Sequence, residues 1–138
     1  MRIAVLALAL FVVAWPAGAQ DKQDKAVYHF SEAEQASRGL QYIRNHLEAS
    51  PKAQIVVVTH AGGVDFLMKG AKSPRGNEYR QAVEDLELQG VTFDVCEITL
   101  RERGLKREQF LPLVQFVPSG VAEVARLQSR EGYAYLRP

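Results

Sequence analysis

The stretch Gln54–His60, QIVVVTH, constrains the fold more than any other part of the chain. Ile55 to Val58 is an unbroken β-branched run with no polar alternation. A strand with one wet face alternates. A continuous apolar run is the mark of a strand buried on both faces, as in the interior of a parallel sheet. Parallel neighbours need long crossovers, usually helices.

The rest of the chain supplies them. Ala26–Phe30 reads as a first strand. Ser31 and Glu34 fit a capping box for a helix whose Ala36, Leu40, Ile43 and Leu47 share one face. Ser50-Pro51 ends it. After His60 comes a tight turn at Ala61-Gly62-Gly63, a short helical segment Val64–Lys69 and an exposed loop Gly70–Gly76. Asn77 is placed to cap a helix with Tyr79, Val83 and Leu86 inward, closed by a left-handed Gly90. Val91–Val95 is a third strand, followed by a helix closed by Gly104 and a turn of helix at Arg107–Phe110. Leu113–Val117 is a fourth strand. Ser119 is the N-cap of a last helix with Val121, Val124, Ala125 and Gln128 on one side, and Tyr133–Leu136 is a fifth strand. The order β-α-β-α-α-β-α-β-α-β predicts an α/β fold, a mostly parallel five-stranded sheet with helices on both faces.

The first residues stand apart. Arg2 precedes an apolar segment Ile3–Val13, and Pro16 precedes Ala17-Gly18-Ala19. This is the pattern of a secretory signal peptide over 1–19, cleaved after Ala19 and too short to span a membrane. Residues 20–24 read as a loose leader and 25–138 as one domain. The expected location is periplasmic or secreted. Basic and acidic residues number 17 and 16. This balance gives no electrostatic reason for nucleic acid or an anionic membrane as partner.

In a parallel sheet all strand carboxyl ends lie on one edge, where α/β proteins bind ligands. His29, His60, Cys96 and Ser119 fall there. Cys96 is the only cysteine, so neither an internal disulfide nor dithiol chemistry within one chain is available. At a strand's end facing a helix start, backbone N–H groups favour the reactive thiolate. Arg101 and Arg103 act in the same direction, and the adjacent Glu97 opposes them. The alternative for Cys96 is a buried, inert core thiol. His60 is a candidate base or hydrogen-bond partner for the thiol. Arg101, Gly62, Gly63 and Ser119 are candidate binding residues, the glycine pair as an anion nest, although a simple turn and a helix cap are the plainer readings. Cys96 with His60 and His29 is an alternative copper or zinc ligand set. No cofactor is indicated.

Four stretches together resemble the DsrE/DsrF-like family of sulfur-relay proteins. They are KAVYHF from Lys25, VVVTHAGGVDFL from Val56, GVTFDVCEITLRERG from Gly90, and VPSGVAEVARLQSREGYAYLRP from Val117. The resemblance implies a three-layer α/β/α sandwich, a homo-oligomer, and a persulfide carried on the cysteine that here is Cys96. It implies partner proteins that give or take sulfur. The chain departs from the relay members in its signal peptide. Three functions are therefore expected in turn: sulfur handling through Cys96, a copper- or zinc-binding module, or a non-catalytic oligomeric binding protein that keeps only the fold.

Overall fold

The computed structural model describes residues 23–138, and the expected signal peptide over 1–19 and residues 20–22 of the expected leader lie outside the described residues. Strands β1 (Lys25–Phe30), β2 (Gln54–Thr59), β3 (Thr92–Cys96), β4 (Gln115–Val117) and β5 (Ala134–Leu136) form one sheet in the order β4-β3-β2-β1-β5. Every neighbouring pair is parallel. The β-branched run of β2 occupies the centre, as its composition requires. Helices α1 (Gln35–Ala49), α2 (Tyr79–Leu88), α3 (Glu97–Arg103) and α4 (Gly120–Glu131) connect the strands.

The layers follow from handedness. From β1 to β4 each step moves the same way across the sheet, so right-handed crossovers put α1, α2 and α3 on one face. The step from β4 to β5 returns across three strands and puts α4 on the other face. The core is correspondingly lopsided. Leu40 and Ile43 of α1, Val83 and Leu86 of α2 and Leu100 of α3 share the large cluster with Phe30, Val57 and Phe93. Beneath α4 the buried cluster is only Val27, Val58, Val124 and Leu127. Each fully buried aliphatic or aromatic side chain contributes about 1.5–3 kcal/mol. Most of the stability therefore comes from the α1–α3 face.

Several local expectations are corrected. The entry to α1 is not the Ser31/Glu34 capping box: Glu34 makes no side-chain cap. Instead the buried Gln35 reaches back, and its Oε1 accepts from the N–H groups of Ser31 at 2.8 Å and Glu32 at 3.0 Å. Glu78 rather than Asn77 precedes α2, without a side-chain cap. β4 begins at Gln115, two residues later than expected, because Val114 N–H closes a turn onto Leu111. The buried face of α4 is Gly120, Val124 and Leu127, while Val121 is 61% exposed. The helix is rotated because Gly120 packs onto the sheet. The leader is not loose at its end: Asp24 accepts Gln54 N–H at 2.7 Å and the Ser50 hydroxyl at 2.7 Å.

Gly62 and Gly63 form no tight turn. They sit in a 3-10 helix, Ala61–Leu67. A Cβ on Gly63 would stand 2.2 Å from the carbonyl oxygen of Phe30, against backbone, whereas one on Gly62 meets nothing closer than 3.5 Å. Gly63→Ala is therefore expected to destabilise the protein by about 3 kcal/mol and Gly62→Ala by under about 1 kcal/mol. Urea denaturation of the two variants measures the difference, and equal costs would contradict the close approach.

Candidate functional site

Strand alternation decides which side chains meet α4. Val27 and Val58 pack beneath it, so His29 and His60, two residues further on, lie on that same side of the sheet. Asp94 adjoins Glu123 and Arg126 of α4, and Cys96 follows two residues later. The polar groups of the carboxyl edge thus gather on the thinly packed side. The connections leaving β1, β2 and β3 turn to the α1–α3 face, and the one leaving β4 turns to α4. The point where adjacent connections part, the usual ligand crevice of such sheets, lies between β3 and β4. Cys96 pairs with Val117 there.

Cys96 is 4% exposed. The sulfur that a reactive role calls for in the open is therefore recessed beneath the surface, close to the N–H groups of Gly120, Thr99 and Ile98. Burial pushes the thiol pKa up. The N–H groups of Gly120, Thr99 and Ile98 and the Thr99 hydroxyl more than offset this, and the net pKa is lowered. The sulfur closes no full capping bond on α3, so these donors act mainly on the charge of the thiolate. Two helix starts supply them, α3 directly and α4 through Gly120. A Cβ on Gly120 would lie 3.3 Å from the Cβ atoms of both Cys96 and His60 and 3.2 Å from Thr59 O. A glycine lets α4 come this close without displacing its neighbours.

Thr99 has a second bond. Its Oγ1 accepts from Ala61 N–H at 2.9 Å, which leaves its proton for the sulfur. Ala61 has φ of +49°, the one positive φ outside glycine among the described residues. That conformation costs about 1–2 kcal/mol for an L residue. It is held by Thr99 on one side and by Arg103 on the other, whose Nη1 donates to Ala61 O at 2.9 Å and pairs with Asp65 at 2.6 Å. Arg103 thus positions the loop. Arg101 is exposed in the last turn of α3, at the end away from Cys96, and has no ion-pair partner among the described residues. Glu97, adverse to thiolate in the sequence, is paired with Arg107.

His60 stands one strand from Cys96, stacked on His29 with ring centroids 4.7 Å apart. His29 Nδ1 bonds Tyr135 Oη of β5 at 2.9 Å. Burial lowers the pKa of His60, helped by the charge of Arg137. Burial, then His60 and Arg137, lowers that of His29. Both rings are neutral at pH 7. Ser119 caps α4, its Oγ accepting from Ala122 N–H at 3.3 Å. Gly63 donates to His60 O at 2.9 Å, so Gly62-Gly63 is not a nest with both N–H groups free. Among the described residues no group of three or more His, Cys, Asp or Glu is placed to hold a metal ion. Cys96, His60 and His29, the alternative copper or zinc set, do not form such a group. Surface hollows lie elsewhere, at the amino edge around Asp24, Ser50 and Gln89 and between α1 and the loop before α2.

Thr99, Tyr135 and Asp94 were not singled out in the sequence, and Arg103 was named only as a charge near the thiol, not as the residue that holds Ala61. Asp94 alone carried a visible signal, a carboxyl inside an apolar strand. It is 4% exposed and its Oδ1 has no partner among the described residues. Burial, then the charge of Glu123, pushes its pKa up to about 7, opposed by Arg126.

A parallel α/β sandwich with a thiol at the parting of its connections defines the class. A family model for the DsrE/DsrF-like family matches residues 10–138. The chain belongs to that family, which is of sulfur-relay type. Among solved structures it is similar to MTH1491, a protein of unknown function from Methanobacterium thermoautotrophicum. The identity is 32% over 84% of this chain and 100% of that one, with a TM-score of 0.76. The ychN protein of E. coli shares the fold at 19% identity over 83% of this chain and 99% of that one, with a TM-score of 0.63. Comparison with curated proteins finds no match.

Two outcomes follow from this geometry. Thr99→Val removes a donor from the thiolate, so the Cys96 pKa rises and iodoacetamide alkylation at pH 7 slows about threefold or more; an unchanged rate would contradict the donor role. Asp94 has a folded pKa above its unfolded value. Its stabilising contribution is thus full below pH 3.8 and is lost as pH rises through about 7. Asp94→Asn is expected to stabilise the protein at pH 8 by about 1–3 kcal/mol and by much less at pH 5. Denaturant titrations at both pH values measure this, and a gain independent of pH would contradict it.

Proposed function

We propose that this protein is an exported sulfur carrier that holds sulfane sulfur as a persulfide on Cys96. The observation that supports the reading best is the place of Cys96, at the end of β3 where the starts of α3 and α4 meet; there the N–H groups of Gly120, Thr99 and Ile98 favour the thiolate and lower the thiol pKa despite burial. In the transfer step the Cys96 thiolate attacks the outer sulfur of a donor R–S–SH. A new S–S bond forms at Cys96, the donor's S–S bond breaks, and the electron pair leaves on RS⁻, which takes up the proton of the transferred sulfur and departs as RSH. No electrons are gained or lost overall. The same donors then hold the Cys96–S–S⁻ anion. In this reading His60, one strand away, hydrogen-bonds the incoming or outgoing sulfur. The signal-peptide pattern over 1–19 supports a periplasmic or extracellular site of action. Among the described residues no helix is long and apolar enough to cross a membrane.

The exposed edge of β5, with Tyr135 41% and Leu136 37% exposed, is suited to pairing with a second copy in a homo-oligomer. A sulfur donor or acceptor protein would meet the recess beside Ile98 and Val121, both exposed at the first turns of α3 and α4. The near-complete burial of Cys96 favours a second reading, a binding protein in which the thiol is inert. Mass spectrometry separates the two. The sulfur carrier gains about 32 Da on Cys96 when the folded protein meets polysulfide, and Cys96→Ser gains nothing. Addition only after unfolding would establish the inert thiol instead.

A further inference from the structure

Beside Cys96 the carboxyl edge holds a second cluster, of which the sulfur transfer described above uses only His60. Tyr135, His29 and His60 stand in a row on β5, β1 and the end of β2, on the α4 side of the sheet. The phenol is the better proton donor, so Tyr135 donates to His29 Nδ1 and the ring proton sits on Nε2. That Nε2 is buried and has no hydrogen-bond partner among the described residues. A buried N–H without an acceptor is costly, and an anionic oxygen is the acceptor that offsets the cost best. The local field has the matching sign. The charge of Arg137 acts on both rings, and its guanidinium is held at this edge by Glu32 at 2.9 Å.

We propose that His29, with His60 and Tyr135, forms an oxyanion subsite that recognises the carboxylate of a small organic persulfide whose outer sulfur is delivered to Cys96. Spacing selects this class. Thr59 pairs with Val95 and Phe30 with Thr59, so Cys96 is one strand from His60 and two strands from His29, about 10 Å in all. The outer sulfur and the carboxylate of a cysteine-type persulfide are about 6 Å apart when extended. Contact distances at each end bridge the remainder. A bare sulfur chain carries no hard oxygen for the imidazoles. The inference rests on the Cys96 reading for its chemistry, but the subsite can be tested separately.

The test compares N-acetylcysteine with its amide, first as thiols and then as hydropersulfides. The reduced wild-type protein with the thiols reports binding alone. N-acetylcysteine is expected to shift the ring resonances of His29 and His60 in NMR spectra and to raise their pKa values, and the amide to do neither. With the hydropersulfides, transfer to Cys96 below saturation is expected to run about tenfold faster from the acid than from the amide. His29→Gln should abolish the advantage of the acid over the amide, so that the two rates become equal. Equal wild-type rates, or ring resonances unmoved by the acid, would overturn the subsite and leave Cys96 chemistry standing. Binding of the acid at the rings with no transfer from either donor would instead overturn the role of Cys96 and, with it, the delivery step.

Discussion

The molecule depends on one close contact, the first turn of α4 pressed onto the ends of β2 and β3 at Gly120. A side chain there would be tightly placed, with Thr59 O at 3.2 Å and two Cβ atoms at 3.3 Å from where a Cβ would be, so that a neighbour would have to give by a few tenths of an ångström. That contact brings an N–H to the Cys96 sulfur. It also turns Val124 and Leu127 inward and leaves Val121 in solvent. A helix that crosses back over three strands is anchored at its start, and its start is the site.

The two faces of the sheet divide the work. The α1–α3 face is a dense aliphatic and aromatic core, with Phe30, Phe66 and Phe93 almost wholly buried. The α4 face has few apolar contacts and carries the groups that titrate: His29, His60, Asp94 and Cys96. Placing a carboxyl, two imidazoles and a thiol in a thin layer costs stability, and the other face supplies it. The pH behaviour follows. Asp94 weakens the fold as pH rises toward and through about 7. The lowered pKa values of His29 and His60 weaken it as pH falls below their unfolded 6.5. The strained Ala61 lies at the same carboxyl edge but on the α3 side, held at its N–H and its carbonyl by two side chains of α3.

Much of the fold was legible in the sequence, because burial on two faces and on one face leave different patterns. The run in β2, the α1 face Ala36, Leu40, Ile43 and Leu47, and the alternation of strands and helices were all readable. Errors arose where one contact outweighed a local signal. Gln35 displaced the Ser31/Glu34 box by reaching both N–H groups at once. Gly120 rotated α4 away from the face that Val121 and Ala125 suggested. The position of Cys96 was readable from its strand, but Tyr135 was not, since only the strand order sets β5 beside β1. Arg101 and Arg103 were indistinguishable in sequence. The structure uses Arg103, one turn of helix beyond Thr99, because both reach Ala61.

Direct titration of the Cys96 thiolate in the folded wild-type protein, followed by its ultraviolet absorbance, tests the central claim with no reagent that must enter the recess. The account predicts a midpoint below the ordinary thiol value of 9.0, moving upward when α4 is lifted by Gly120→Ala. A wild-type midpoint at or above 9.0 would mean that burial outweighs the donors, and the proposed sulfur chemistry of Cys96 would fall with it.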